Sequence, residues 1–140
     1  MLSTTKHPRV ARLLMATLFV CLICSMAGQS TASAARGVPQ STLDQYRAWM
    51  TDAKTMYPYP QSLDKMWRVM MCESGGNSTA SNRGKYLGLF QYAPSTWKSS
   101  WNPYRAESIW DAKSQIFATA KAWSVGMQGH WSCYYITAGR

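Results

Sequence analysis

Acidic residues are scarce in this chain: six Asp and Glu stand against fifteen Lys and Arg in 140 residues. A site built from paired carboxylates therefore has few candidates. After Glu73 the next acid is Glu107, and Asp64, nine residues upstream of Glu73, falls on the opposite face of any helix carrying both. Histidine is scarcer still, with two in the chain, of which only His130 lies beyond the N-terminal segment. It sits among Gly126, Gly129 and Gln128 and reads as an exposed loop residue. The longest apolar run, Leu13 to Cys24, has twelve residues, too few to span a bilayer. No sustained period-two alternation occurs, which argues against an extensive sheet. The basic residues stand singly, with no run or recognition-helix pattern, so nothing points to nucleic acid.

What is present begins with a leader. Lys6, Arg9 and Arg12 precede the apolar run, and Ala32-Ser33-Ala34 offers a small-residue cleavage site, the pattern of a secretory signal peptide over residues 1–34. Val20 and Ile23 precede Cys21 and Cys24 where lipoprotein processing needs a small residue, so release without a membrane anchor is expected. Loss of the leader leaves twelve Lys and Arg against six acids, a formal +6 on 106 residues, suited to a polyanionic surface such as a bacterial wall. Cys72 and Cys133 are then the only cysteines. An even pair in an oxidising compartment reads as a disulfide, and two cysteines without nearby histidines argue against a metal site.

Residues 35–60 read as a short linker and an N-terminal helix. Ser41-Thr42-Leu43-Asp44 matches a capping box; Leu43, Tyr46, Met50, Ala53 and Tyr57 share one face, and Pro58 and Pro60 end it. This helix is expected to pack on the following domain, 61–140, as an appendage. Ser62 can cap a second helix with Asp64 in its first turn and Leu63, Met66, Trp67, Met70 and Met71 on its apolar face. Residues 74–93, rich in Gly, Ser, Asn and Tyr, read as loops or a short hairpin. Asn77-Ser78-Thr79 fits a glycosylation acceptor, a reading set aside for a bacterial-looking chain. Pro94 can open a short helix carrying Trp97 and Trp101, with Asn102-Pro103 breaking it. A capping box at Ser108-Ile109-Trp110-Asp111 would open another, with Ile109, Ala112, Ile116, Ala120 and Trp123 facing inward, and Gly126 and Gly129 end the regular structure.

Glu73 stands out within this frame. It lies three, four and seven residues past Met70, Val69 and Met66, beside the apolar face and just before Gly75-Gly76. Apolar surroundings raise a carboxyl pKa, which keeps a general acid protonated near neutral pH. The competing reading is a solvated residue at a helix edge.

Cys72-Glu73-Ser74-Gly75-Gly76-Asn77, then Tyr86-Leu87-Gly88-Leu89-Phe90-Gln91, then Thr96-Trp97, resembles the lysozyme-like domain of resuscitation-promoting factors and related lytic transglycosylases over residues 62–134. The position of Cys133 also fits. The resemblance implies a small, predominantly helical, lysozyme-like α+β fold with one disulfide, a secreted monomer associated with the cell wall, and no cofactor. It implies peptidoglycan glycan strands as substrate and Glu73 as general acid and base. It also implies substrate contacts from Gln91, Tyr86, Tyr92, Asn77, Thr96 and Trp97. For Gln91 the expected role is a hydrogen bond to a sugar, against a loop-stabilising amide. The seven tryptophans and eight tyrosines have two uses, core and sugar stacking. Any one of them reads first as core, with Tyr86 and Tyr92 the best exceptions and Trp97 and Trp131 as further cleft candidates. With one carboxylate at hand, the economical chemistry joins Glu73 to the substrate's own N-acetyl group. Attack by a muramic C6 hydroxyl would give an anhydro sugar and attack by water a reducing end; the sequence leaves both open. It also leaves open a wall-binding module with little or no catalysis. A membrane-active cationic protein fits less well, since the charge is dispersed.

Overall fold

The computed structural model describes residues 37–138. The expected leader, its cleavage site and the start of the linker lie outside the described residues. The order is α1 (Gln40–Met56), α2 (Leu63–Ser74), the strands β1 (Ser81–Asn82) and β2 (Tyr86–Leu87), α3 (Pro94–Trp97), α4 (Ala112–Ser124), a 3₁₀ turn (Met127–His130) and α5 (Ser132–Ile136). β1 and β2 form an antiparallel hairpin that pairs Ser81 with Leu87 and Asn82 with Tyr86. The fold is thus small, mostly helical α+β, with one disulfide joining Cys72 to Cys133. None of the described helices is long and apolar enough to cross a membrane.

α4 is the central helix. Gln115 to Ala120, Ala122 and Trp123 are all buried, so it lacks a solvent face over most of its length, as a helix surrounded by other elements must. α1 packs against α4 and α2, and α2 packs against α5. Tyr46, Met50 and Ala53 of α1 enter the same core as Met66, Val69 and Met70 of α2. This corrects the expectation of an appendage: α1 is part of the core. Tyr59 and Tyr134 both meet the ring of Trp123 edge-on, at 5.4 and 5.6 Å.

The ends of the helices show where local pattern decided and where it did not. Ser62 caps α2, its Oγ accepting from Lys65 N at 3.1 Å, and Pro94 opens α3, both as expected. α1, however, starts at Gln40 after Pro39 with no side-chain cap; Asp44 instead accepts from Gln40 Nε2 at 2.8 Å. α4 starts after Asp111, whose Oδ1 takes Ser114 N at 2.7 Å. Ser108 to Asp111 forms a turn closed by Asp111 N to Ser108 O at 3.0 Å, so Ile109 precedes the helix. α3 is a single turn, and Trp101 lies beyond it. Buried Asn102 governs that exit, donating Nδ2 to Trp97 O at 2.8 Å and accepting Tyr104 N at 2.9 Å.

Candidate active-site cleft

α2 delivers Glu73 one residue before its end, and Gly75 at φ 63° terminates the helix immediately afterwards. The disulfide brings the start of α5 against this end of α2, with the Cys72 and Cys133 Cα atoms 5.9 Å apart. Glu73 is half-buried. Desolvation lifts its carboxyl above the usual range, and the backbone N–H of Cys133 draws it partly back.

The carboxyl opens into a cleft of about 480 Å³. One wall comes from the hairpin residues Asn82 and Tyr86, followed by Gln91, Tyr92 and Ala93. Thr96 and Trp101 continue the lining, and Met127, His130, Trp131 and Ser132 close it from the C-terminal side. The aromatic part of this wall is anchored in the core. Tyr92 is 2% exposed, its hydroxyl bonds to Thr119 Oγ1 at 2.9 Å, and its ring meets those of Trp97 and Trp131 edge-on at 5.3 and 5.6 Å. Trp131 donates Nε1 to Phe90 O at 2.7 Å. Such rings have little freedom to move, so a ligand stacking on them would meet a preformed surface.

Of the residues expected at a site, Glu73, Gln91, Tyr86, Tyr92 and Thr96 line one cleft. Tyr86 stands free at its rim, whereas Tyr92 is core with one face toward it. Gln91 holds the loop with its amide and also lines the cleft. It occupies a left-handed conformation (φ 50°) and donates Nε2 to Gly88 O at 2.9 Å and Ala80 O at 3.4 Å, while its side chain faces the cleft. Two expectations are corrected. Asn77 is exposed outside the cleft, its Oδ1 accepting both Thr79 N and Thr79 Oγ1 at 3.0 Å in a local turn. Trp97 is 1% exposed and donates Nε1 to Glu107 O at 3.1 Å, which makes it core.

Trp101 and His130 reach the cleft without having been read as site residues. In the sequence Trp101 reads as part of a short helix with Trp97, and His130 as an exposed loop residue. The signal for His130 was its place three residues before Cys133, in a stretch that the disulfide draws toward Glu73. No second carboxylate joins Glu73 among the described lining residues. Asp64 pairs with Arg68, Asp111 caps α4, and Glu107 offers Trp97 only its carbonyl. No protein-family model, curated protein or solved structure matches the chain. The arrangement can therefore be read only from its chemistry: one half-buried carboxyl whose pKa is raised by desolvation, an aromatic wall anchored in the core, and a rim of amide, hydroxyl and imidazole groups.

Proposed function

We propose that the chain is a secreted enzyme that cleaves peptidoglycan glycan strands, with a lysozyme-like fold and Glu73 as its general acid and base. The observation that carries this reading is the lone half-buried carboxyl, its pKa raised by desolvation, opening into a cleft of about 480 Å³ lined by aromatic rings and polar groups. A carboxyl that keeps its proton toward neutral pH is suited to protonate a glycosidic oxygen. As the C–O bond breaks, one sugar departs with the protonated oxygen, while positive charge develops on the sugar that keeps the anomeric carbon. In the absence of a second lining carboxylate, the N-acetyl carbonyl of that sugar is the group left to stabilise it. Glu73, now a carboxylate, then takes the proton of the attacking hydroxyl and returns to its starting state. A C6 hydroxyl of the same sugar gives an anhydro product, and water gives a reducing end. Tyr86, Trp101 and Trp131 supply ring faces for the sugars, and Gln91, Thr96 and Asn82 supply polar contacts.

The test is mass spectrometry of fragments released from purified cell wall. Wild type should release glycan fragments whose ends are either anhydro or reducing. Glu73→Gln should bind wall but release fragments at least about a hundredfold more slowly, the lower end of what general acid–base assistance supplies. Equal rates would remove Glu73 from the chemistry. The missing second carboxylate favours one other reading, a wall-glycan-binding module. Binding without any release by wild type would select it.

A further inference from the structure

The β1–β2 hairpin buries only Leu87 at its base: every residue from Ser81 to Tyr86 is exposed. The pair that flanks its turn, Asn82 and Tyr86, faces across the strands, and both residues line the cleft. Its tip, Arg83-Gly84-Lys85, therefore starts one residue away from the cleft wall. The turn is closed by Lys85 N to Asn82 O at 2.9 Å and supported by Gly84 N to Ser81 Oγ at 3.1 Å. It requires positive φ at two successive residues, 50° at Arg83 and 73° at Gly84. Asn or Asp is the usual occupant of the first such position, since a longer side chain is held there against its steric preference. Arg83 takes it instead. Arg83 and Gln91 are the two non-glycine residues at positive φ among those described, and both belong to the segment that builds this wall. Strain of this kind concentrates where a side chain has a use.

The second observation concerns the other cations. Each remaining described Lys and Arg is committed to a backbone carbonyl, a carboxylate or an aromatic ring. Arg83 and Lys85 alone have no such partner among the described residues. Two cations without a partner among the described residues thus stand on the exposed turn that joins two cleft-lining residues, Asn82 and Tyr86.

We infer that Arg83 and Lys85 form a subsite for carboxylate groups carried by the glycan strand, so that the cleft prefers acidic strands to neutral ones. This rests on the glycan-cleaving reading for its choice of ligand. A strand lying across Tyr86 brings the substituents of its sugars past the hairpin tip. On a peptidoglycan strand these carboxylates have two sources: the peptide where it is attached, and the lactyl group of the sugar where the peptide has been removed and its amide no longer caps that carboxyl. Arginine meets a carboxylate with two parallel N–H groups, and the neighbouring lysine adds a mobile charge. Both lie in solvent, so each contributes modestly and in a salt-dependent way.

Binding would be titrated with Glu73→Gln protein, which prevents turnover, and in parallel with wild type held cold. Three ligands of equal length separate the sources: a neutral chitin oligosaccharide, a glycan strand stripped of peptide by an amidase, and a strand with its peptides. Arg83→Gln/Lys85→Gln should weaken the acidic ligands about three- to tenfold and leave the chitin oligosaccharide unchanged, with the gap closing as salt is raised. Glutamine is a fair replacement at Arg83, since Gln91 adopts the same φ in this fold. Arg83→Glu/Lys85→Glu should enlarge the loss. A loss on the stripped strand alone assigns the subsite to the lactyl carboxylate, a loss on the peptide-bearing strand alone assigns it to the peptide, and a loss on both shows that it takes a carboxylate from either source. Equal effects on all three ligands, or none, overturn the inference. If wild type releases no fragments yet keeps this charge selectivity, the cleavage reading fails and the subsite stands.

Discussion

Glu73 is the residue on which pH should act most visibly. Its folded-state carboxyl is raised from the ordinary 4.5, chiefly by desolvation. Between the unfolded and folded values the native state therefore holds more protons than the unfolded chain. The stability from this group is fully present below the unfolded value and is lost as pH rises through the folded one. Denaturation midpoints of wild type and Glu73→Gln, compared from about pH 4 to about pH 8, should separate in favour of the variant as pH rises. Parallel curves would mean a carboxylate that folding leaves in water. Gln91 makes a second case, because its amide holds the loop carbonyls of Gly88 and Ala80. Gln91→Ala should lower stability by about 1–2 kcal/mol in chemical denaturation, a loss that an amide serving only a ligand would not produce. The sequence made Glu73 legible because its distances from Met66, Val69 and Met70 fix its direction on a helix. It did the opposite for Trp97 and Asn77. The resemblance that placed both at the site carries no information on orientation in this chain, and Trp97 turns its ring into the core while Asn77 folds its short side chain onto Thr79.

At the scale of elements, the loops that carry the cleft are held by one buried amide of α4. Gln115 accepts Leu89 N and donates Nε2 to Ser78 O at 3.3 Å, tying both arms of the segment around the hairpin to the central helix. Gly88 makes room for it. A Cβ there would lie 2.2 Å from Gln115 Oε1, and the backbone stands at φ 78°. Gly84 has a similar φ of 73° with nothing within 4 Å. Gly84→Ala should thus cost only the left-handed strain, about 1–2 kcal/mol, while Gly88→Ala should cost about 2–4 kcal/mol because the amide must also move. Equal losses in chemical denaturation would show that the close approach contributes nothing. Helix existence was legible from apolar spacing at 3.6, and two starts from Ser62 and Pro94. The start of α4 was misplaced because Ser108 and Asp111 are both good caps, and only the turn between them selects the second. The clamp by Gln115 had no sequence signal, since it joins residues 26 apart through a polar group that packing alone would exclude from a core.

At the scale of the whole molecule, the disulfide joins the two parts of the cleft that come from opposite ends of the fold. Cys72 precedes Glu73 on α2, and Cys133 follows the stretch that supplies Met127, His130, Trp131 and Ser132. The bridge spans 61 residues, and closing a loop of that size in the unfolded chain is worth about 4 kcal/mol in the chain-entropy description. That contribution acts on the unfolded state and by itself would leave the folded cleft as it is. The geometry adds a local effect, because the Cys133 N–H faces the Glu73 carboxyl and Lys65 of α2 holds Tyr134 O and, at 3.0 Å, Thr137 Oγ1. The lysine clamps are on the same two helices and should keep α5 near α2 when the bridge is gone, so the fold should survive. Cys72→Ala/Cys133→Ala should therefore be folded but less stable by up to about 4 kcal/mol. Amide hydrogen exchange, followed where the variant is fully folded, separates the two effects. A staple acting only on the unfolded chain would lower protection in proportion across every globally exchanging amide. A bridge that also positions the site should speed exchange further in residues 72–74 and 131–134, through local opening that the core amides of α4 do not share. Uniform loss of protection would restrict the bridge to stability, and selective loss at those two segments would make it the element that keeps the C-terminal wall of the cleft against Glu73.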